Sequence, residues 1–259
     1  WYYRQFGYEY ALNLEGGRLA YRANVPELPE GASEPLTLRP LTEADIPLLV
    51  ELYRQACARS LFAVPRDAAF WRFDAFGRHE KSGLASDHYV IVQSGQPEAP
   101  VGVVILARRL WGTQLGVRFL EIAPGTPMVA VAPSLLRALD ALGPATAARS
   151  GKGYDAIHFD LGAEHPFFDA IPNALPREVK PYAWYVRIPD LPGFLNAVAP
   201  ALEQRLAASP EAGWSGELRL SFYRSGVKLR VEGGRLTAET WRPEHSEDGD
   251  ALFPDLTFL

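Results

Sequence analysis

His158-Phe-Asp160 is the pairing of residue types in this chain that comes nearest to a metal site. In a strand these two side chains share one face, opposite Ile157, Phe159 and Leu161. A His-x-Asp pair joined by a distant histidine can hold iron in a facial array, and His165 and His245 are the candidates for a third ligand. A polar strand face that meets solvent or a cleft accounts for the same residues without a metal. Cys57 is the only cysteine, which excludes a disulfide framework and any multi-cysteine zinc site. It falls on the apolar face of a predicted helix, where packing is a simpler role than nucleophilic attack. Ser150-Gly-Lys-Gly153 lacks the upstream glycine and the following hydroxyl of a P-loop, and reads as a turn before a strand. Gly31-Ala-Ser-Glu-Pro35 and Gly213-Trp-Ser-Gly-Glu217 each miss the last glycine of a nucleophile elbow and read as loops.

The elements that would position such residues follow from periodicity. Leu36-Thr-Leu-Arg-Pro40 alternates as a strand does. Thr42 with Asp45 three residues on forms a start like a capping box, and Ile46, Leu49, Val50, Tyr53, Ala56 and Cys57 then recur at helical spacing. A second helix is predicted over 67–76, and strands over 88–93, 101–109 and 115–122, joined by turn chemistry that implies antiparallel neighbours. A helix after Pro133, stopped by Gly143-Pro144, precedes a strand over 154–161, a short helix over 167–171 and a strand over 182–188. This order describes an α+β domain with one mixed sheet. From Leu191 two short helices, the second opened by Pro200, lead into three alternating strands with turns at Arg224-Ser-Gly226 and Gly233-Gly234. Glu217, Arg219, Lys228, Arg230 and Glu232 read as cross-strand pairs on the outer face of that meander.

Composition bounds the function classes. The chain has 259 residues, 47% apolar and 22% charged, which excludes wholesale disorder. Its longest apolar run, Val101 to Ala107, is strand-sized, so no membrane partner is expected. The net charge of −5 offers no chain-wide basic field, so no nucleic-acid partner is expected either. The lone cysteine fits a reducing, cytoplasmic setting. Met128 is the only methionine and the chain opens on Trp1-Tyr-Tyr, while 251–259 is apolar to its last residue. The expectation is therefore an internal piece of a longer protein.

Three stretches carry a family resemblance. Leu-Thr-Leu-Arg-Pro-Leu-Thr-Glu-Ala-Asp-Ile-Pro, residues 36–47, resembles the first strand and helix opening of the GNAT superfamily of N-acetyltransferases, and the element order follows that fold. Tyr2-Tyr-Arg-Gln-Phe-Gly-Tyr-Glu, residues 2–9, resembles the end of a separate GNAT domain, and 191–241 resembles a sterol-carrier-protein-type domain. In that order the three pieces are similar to the bacterial enhanced-intracellular-survival (Eis) type acetyltransferases. The resemblance implies a remnant of a first, catalytic GNAT domain over 1–22, a linker over 23–35, a second, degenerate GNAT-like domain over 36–190 and a sterol-carrier-like domain over 191–259. It also implies acetyl-CoA as cofactor, a small-molecule or peptide amine as substrate, and a homo-oligomer. The family's general-acid tyrosine corresponds to Tyr3, whose phenol would protonate the thiolate leaving group. The family's C-terminal carboxylate base is not carried over to Leu259.

The second domain departs from an active GNAT at the cofactor. There the fourth strand is followed by Arg/Gln-x-x-Gly-x-Gly/Ala, whose backbone N–H groups hold a pyrophosphate. Here Ala123-Pro-Gly-Thr-Pro-Met-Val-Ala-Val-Ala-Pro133 follows, with three prolines that remove donors. Residues 36–190 are expected to keep the fold without the cofactor site. Two other functions compete with the acetyltransferase reading: a module that binds an apolar ligand in the last domain, and a purely oligomer-forming role.

Overall fold

The computed structural model describes residues 2–14, 16–60, 63–222, 225–245 and 247–253. It divides into two compact units, one of Asn13–Tyr182 and one of Trp1–Leu12 with Ala183–Leu259. The strands and helices in chain order are β1 (Glu9–Leu14), β2 (Gly17–Tyr21), β3 (Leu36–Pro40), α1 (Ile46–Ala58), α2 (Ala68–Arg72), β4 (Ser86–Gln93), β5 (Gln96–Ala107), β6 (Gln114–Ile122), α3 (Met128–Ser150), β7 (Ala156–Phe159), α4 (Pro166–Ala170), β8 (Arg177–Val179), β9 (Tyr182–Val186), α5 (Leu191–Ala207) and β10 to β13 (Gly216–Ser221, Gly226–Glu232, Arg235–Trp241, Ala251–Leu252).

The larger unit is a seven-stranded sheet in the order β3-β4-β5-β6-β7-β2-β8. All its pairs are antiparallel except β6 with β7, so the expected mixed sheet is present. Val101 to Ala107 is buried throughout because both faces are covered. On one side Leu106, Val117, Leu120 and Phe159 pack with Leu135, Leu136 and Leu139 of α3 and Phe167 and Phe168 of α4. On the other, Val90, Val103 and Ile105 pack with Ile46, Leu49 and Leu52 of α1 and Trp71 of α2. Helix α3 is long and apolar enough, by length and composition alone, to cross a membrane, but its apolar face belongs to this core.

Local signals fixed several elements where the sequence placed them. Thr42 and Asp45 form the capping box, and Asp45 also takes two bonds from the Arg39 guanidinium, at 2.8 and 2.7 Å. The strand-end arginine is thereby locked to the start of α1. Arg39, with Thr42, holds the Asp45 carboxyl down to about 2, against an ordinary 3.8. Because this pKa is lower in the folded state, the contribution is complete above pH 4 and lost as pH falls toward 2, worth about 2 kcal/mol. Urea unfolding should therefore show Asp45→Asn less stable than wild type by that amount near neutral pH, with the gap closing by pH 2.

Other elements differ from the sequence reading. Residues 17–21, assigned there to a preceding domain, form β2 inside the seven-stranded sheet, hydrogen-bonded to β7 and β8. The 23–35 stretch has no strand, yet Glu34 anchors it to α3, accepting from Arg137 at 2.5 and 3.0 Å and from Ser134 at 2.6 Å. Helix α3 starts at Met128 and continues through both Pro133 and Pro144 to a left-handed cap at Gly151, φ 63°. Each proline removes one internal bond, which the buried face outweighs. Gly143 does not stop the helix either. It makes room for the Tyr154 ring, whose hydroxyl donates to Asp140 at 2.8 Å. The 182–188 stretch leaves the large sheet, and β9 pairs instead with β1.

In the smaller unit the four-stranded sheet runs β12-β11-β10-β13, with Gly233 and Gly234 both at positive φ in the β11–β12 turn. The turn expected at 224–226 and the apolar stretch 254–259 lie, in part or whole, outside the described residues. One helix, α5, replaces the two expected, continuing through Pro200. It guards the open edge of β12. Asn196 donates to the Ala238 carbonyl at 2.9 Å and accepts from its N–H at 2.8 Å, while Glu203 accepts from the Leu236 N–H at 2.8 Å. Leu195 and Leu202 of the helix pack with Val227, Leu229 and Ala238 of the sheet, and Leu218 is left 37% exposed.

Candidate functional site

In open sheets, ligands favour the crevice outside the carboxyl ends of parallel strands, and here that place lies between β6 and β7. The two strands are paired from Gln114↔Ala156 to Val117↔Phe159, and the Asp160 N–H adds a last bond to the Val117 carbonyl at 2.9 Å. Beyond it β7 ends, while β6 runs on to Ile122 with β5 as its neighbour. At the point of divergence Arg118 is an extra residue in the β5–β6 ladder, a bulge that turns its side chain away. Its guanidinium donates to the Gly83 and Leu84 carbonyls and to Ser86 Oγ, each at 3.1 Å.

The crevice is closed by the protein itself. His165 Nδ1 accepts from the Phe167 N–H at 3.2 Å, capping α4, so Nε2 carries the hydrogen and donates to the Leu120 carbonyl at 3.1 Å. Phe167 and Phe168 are buried behind it, with the Phe159 and Phe167 rings 4.7 Å apart. The Glu121 carboxylate, also buried, pairs with Arg59 and lies 3.7 Å from His165 Nε2.

The segment after β6 does not fit a phosphate. The Thr126 N–H bonds to the Ala123 carbonyl, and Gly125 has φ 88°, so Pro124-Gly125 makes the centre of a type II turn. The Ala123 N–H is taken by the Val101 carbonyl at 2.8 Å. Proline occupies the α3 cap at 127, no side chain caps it, and the Ala130 N–H turns back to the Pro127 carbonyl at 3.0 Å. No lysine or arginine lies between Ala123 and Leu136. Neither the convergent donors nor the cations of a pyrophosphate cradle are present.

The other sequence candidates separate. His158 and Asp160 flank buried Phe159 on the polar side of β7, but His165 is engaged at Leu120 and 71% exposed His245 at Asp248. Among the described residues no three His, Cys, Asp or Glu side chains gather as a metal site requires. Cys57 is half-buried on α1. Ser150-Gly-Lys-Gly153 is the end of α3, where Ser150 Oγ accepts from the Leu110 N–H at 2.9 Å.

Tyr3 begins a single 3-10 turn over Tyr3–Phe6 in the smaller unit and is 54% exposed. Its ring meets Tyr185 at 5.3 Å, Tyr2 at 5.7 Å and Tyr8 at 6.3 Å, and its hydroxyl has no hydrogen-bond partner among the described residues. An open hollow of about 470 Å³ lies beside this turn, lined by Gln5, Phe6, Gly7, Arg187, Ile188 and Pro189; Tyr3 does not line it. The Tyr185 contact and the closure of the crevice by His165 are both invisible to sequence spacing, since each joins residues remote from one another along the chain.

The fold has solved counterparts. A conserved protein of unknown function from Enterococcus faecalis V583, described as a probable N-acyltransferase, superposes over 93% of this chain with a TM-score of 0.52 at 15% identity. A GCN5-related N-acetyltransferase from Anabaena variabilis ATCC 29413 covers the same share at 18% identity and a TM-score of 0.45. The fold is GNAT-like. At such identities the likeness is one of fold alone. The chain spans a little over half the length of these two structures, 55% and 56% respectively. No protein-family model and no curated protein matches it. Where the parallel strands diverge, then, His165 at the start of α4 takes the Leu120 carbonyl, and Pro124-Gly125 turns the chain after β6.

Proposed function

We propose that this chain is the part of an acetyl-CoA-dependent N-acetyltransferase, acting on a small-molecule or peptide amine, that supplies the general-acid Tyr3 but not the cofactor site. The reading follows the Eis-type resemblance of 2–9, 36–47 and 191–241. In it the chain contributes surfaces that line the substrate and assemble a homo-oligomer in the cytoplasm, and the acetyl-CoA site lies outside these residues. The observation that supports placing the cofactor site elsewhere is the His165 contact with the Leu120 carbonyl, together with the Pro124-Gly125 turn where pyrophosphate donors would be needed. Isothermal titration of acetyl-CoA into the 259-residue chain should give no binding in the micromolar range. A micromolar dissociation constant would overturn the assignment, because it would require a cradle that these residues do not form.

A second reading has one observation in its favour. Leu218, Trp214 and Leu252 are 37%, 37% and 44% exposed, on or beside the four-stranded sheet of the sterol-carrier-like stretch. An apolar ligand could use that surface. Fatty acid that copurifies with the chain in native mass spectra would promote this role.

A further inference from the structure

On the face of the larger sheet covered by α1 and α2, three aromatic rings surround a cation. The Arg66 guanidinium carbon lies 5.2 Å from the centroid of Tyr53, 4.8 Å from Phe70 and 5.3 Å from Trp71. The box has fixed walls. Tyr53 and Trp71 meet edge to face at 5.0 Å, Phe70 meets Trp71 at 5.3 Å and 87°, and Phe119 of β6 backs both Tyr53 and Trp71, at 5.8 and 6.2 Å. Trp71 is 1% exposed.

Arg66 is held differently from most arginines of this unit, though Arg18, 5.5 Å over the Phe168 ring, shares its unpartnered buried Nε. Arg39, Arg59, Arg78, Arg108 and Arg137 each pair with a carboxylate. Among the described residues Arg66 has neither ion pair nor hydrogen bond, and its buried Nε has no acceptor. Trp71 Nε1, in the wall of the same box, is a second buried donor with no partner. The planar fork for which arginine is normally selected goes unused here, and the rings hold the side chain by its charge. That attraction is strongest where water is excluded, while each buried donor left unpaired carries a desolvation cost. A free quaternary ammonium would keep the attraction without burying an unpaired N–H, and an acceptor oxygen on it is the group that Trp71 Nε1 lacks.

The chain on either side of Arg66 is anchored. Tyr53 Oη donates to the Val64 carbonyl at 2.8 Å, and Asp67 accepts from the Phe70 N–H at 2.8 Å as the cap of α2. The backbone is held on both sides, so only the Arg66 side chain has to swing out. We propose that Tyr53, Phe70 and Trp71 form a binding site for a small organic ammonium ion bearing an oxygen acceptor, and that Arg66 is its tethered, competing occupant. The site is independent of the acyltransferase reading and needs no acyl chemistry.

Choline is the probe, and the Trp71 indole N–H resonance in the full chain is the readout. Arg66→Ala should bind choline at least tenfold more tightly than wild type, and adding Phe70→Ala should remove that gain. Equal affinity of wild type and a folded Arg66→Ala protein would overturn the proposal, as would an unchanged gain in the double variant. Should Arg66→Ala not fold, the wild-type Arg66 Nε–H resonance decides the matter. Ring currents shift it in the free protein, and saturating choline should return it toward its solvent-exposed position. A resonance unmoved by choline would overturn the proposal.

Discussion

Gly17→Ala is expected to lower the thermal midpoint of the chain by about 10 °C, a loss of about 3 kcal/mol or more. Gly17 opens β2, where it pairs with Val179 of β8 while the next residue, Arg18, pairs with Phe159 of β7. Its φ is 151°, and a Cβ built there would run into the Phe159 carbonyl oxygen, far inside the 3.0 Å that real Cβ atoms respect. The obstructing atom is backbone in the middle of the sheet, so no rotamer change relieves it. Either β2 moves away from β7 or the chain abandons the pairing. Gly31→Ala is the control, because Gly31 also has positive φ, 77°, but nothing lies within 4 Å of its would-be Cβ. It should cost only the conformational penalty, about 1 kcal/mol. Equal losses in the two variants, measured by calorimetric melting, would show that backbone conformation rather than the close approach governs Gly17.

Gly17 also marks where sequence reasoning stopped. Elements whose signals are local were legible: Thr42 and Asp45 announced α1 because the cap and the apolar stripe lie within one stretch of chain. The pairing of β2 with β7 joins residues almost 140 positions apart, and a five-residue strand carries no mark of its partner. The same holds for β9, whose alternation was visible but whose pairing with β1 was not. Proline misled in the other direction. Pro133, Pro144 and Pro200 read as boundaries, yet each lies inside a helix whose buried side chains outweigh one lost bond. The candidate site was legible in part: the prolines directly after a strand could be read as lost N–H donors. Its closure was not, since His165 earned notice as a possible metal ligand and is instead the cap of α4 and the donor to Leu120. The Arg39–Asp45 lock was within reach of sequence, because a strand-end arginine six residues before the N3 acid of a capping box is a local pattern.

In the intact acetyltransferase that we propose, Tyr3→Phe should lower turnover about 100-fold, the usual cost of losing a general acid, and leave cofactor affinity nearly unchanged. The resemblance of 2–9 to the end of a GNAT domain puts the proton donor at this residue. The surroundings of Tyr3 make the substitution a clean one. Its ring contributes contacts with Tyr2, Tyr8 and Tyr185 that phenylalanine preserves, and its hydroxyl makes no hydrogen bond among the described residues that folding would miss. At 54% exposure the ring also carries little of the unit's core. The melting temperature should therefore stay within about 2 °C of wild type, as for a surface change, while the rate falls. Tyr8→Phe tests whether any phenol in the cluster would serve, since Tyr8 shares the ring contact with Tyr3 but is not the residue that the resemblance assigns. It should keep nearly full turnover. An unaltered rate in Tyr3→Phe, with Tyr8→Phe equally active, would reduce Tyr3 to a packing aromatic beside Tyr185 and remove the one catalytic role assigned within these residues.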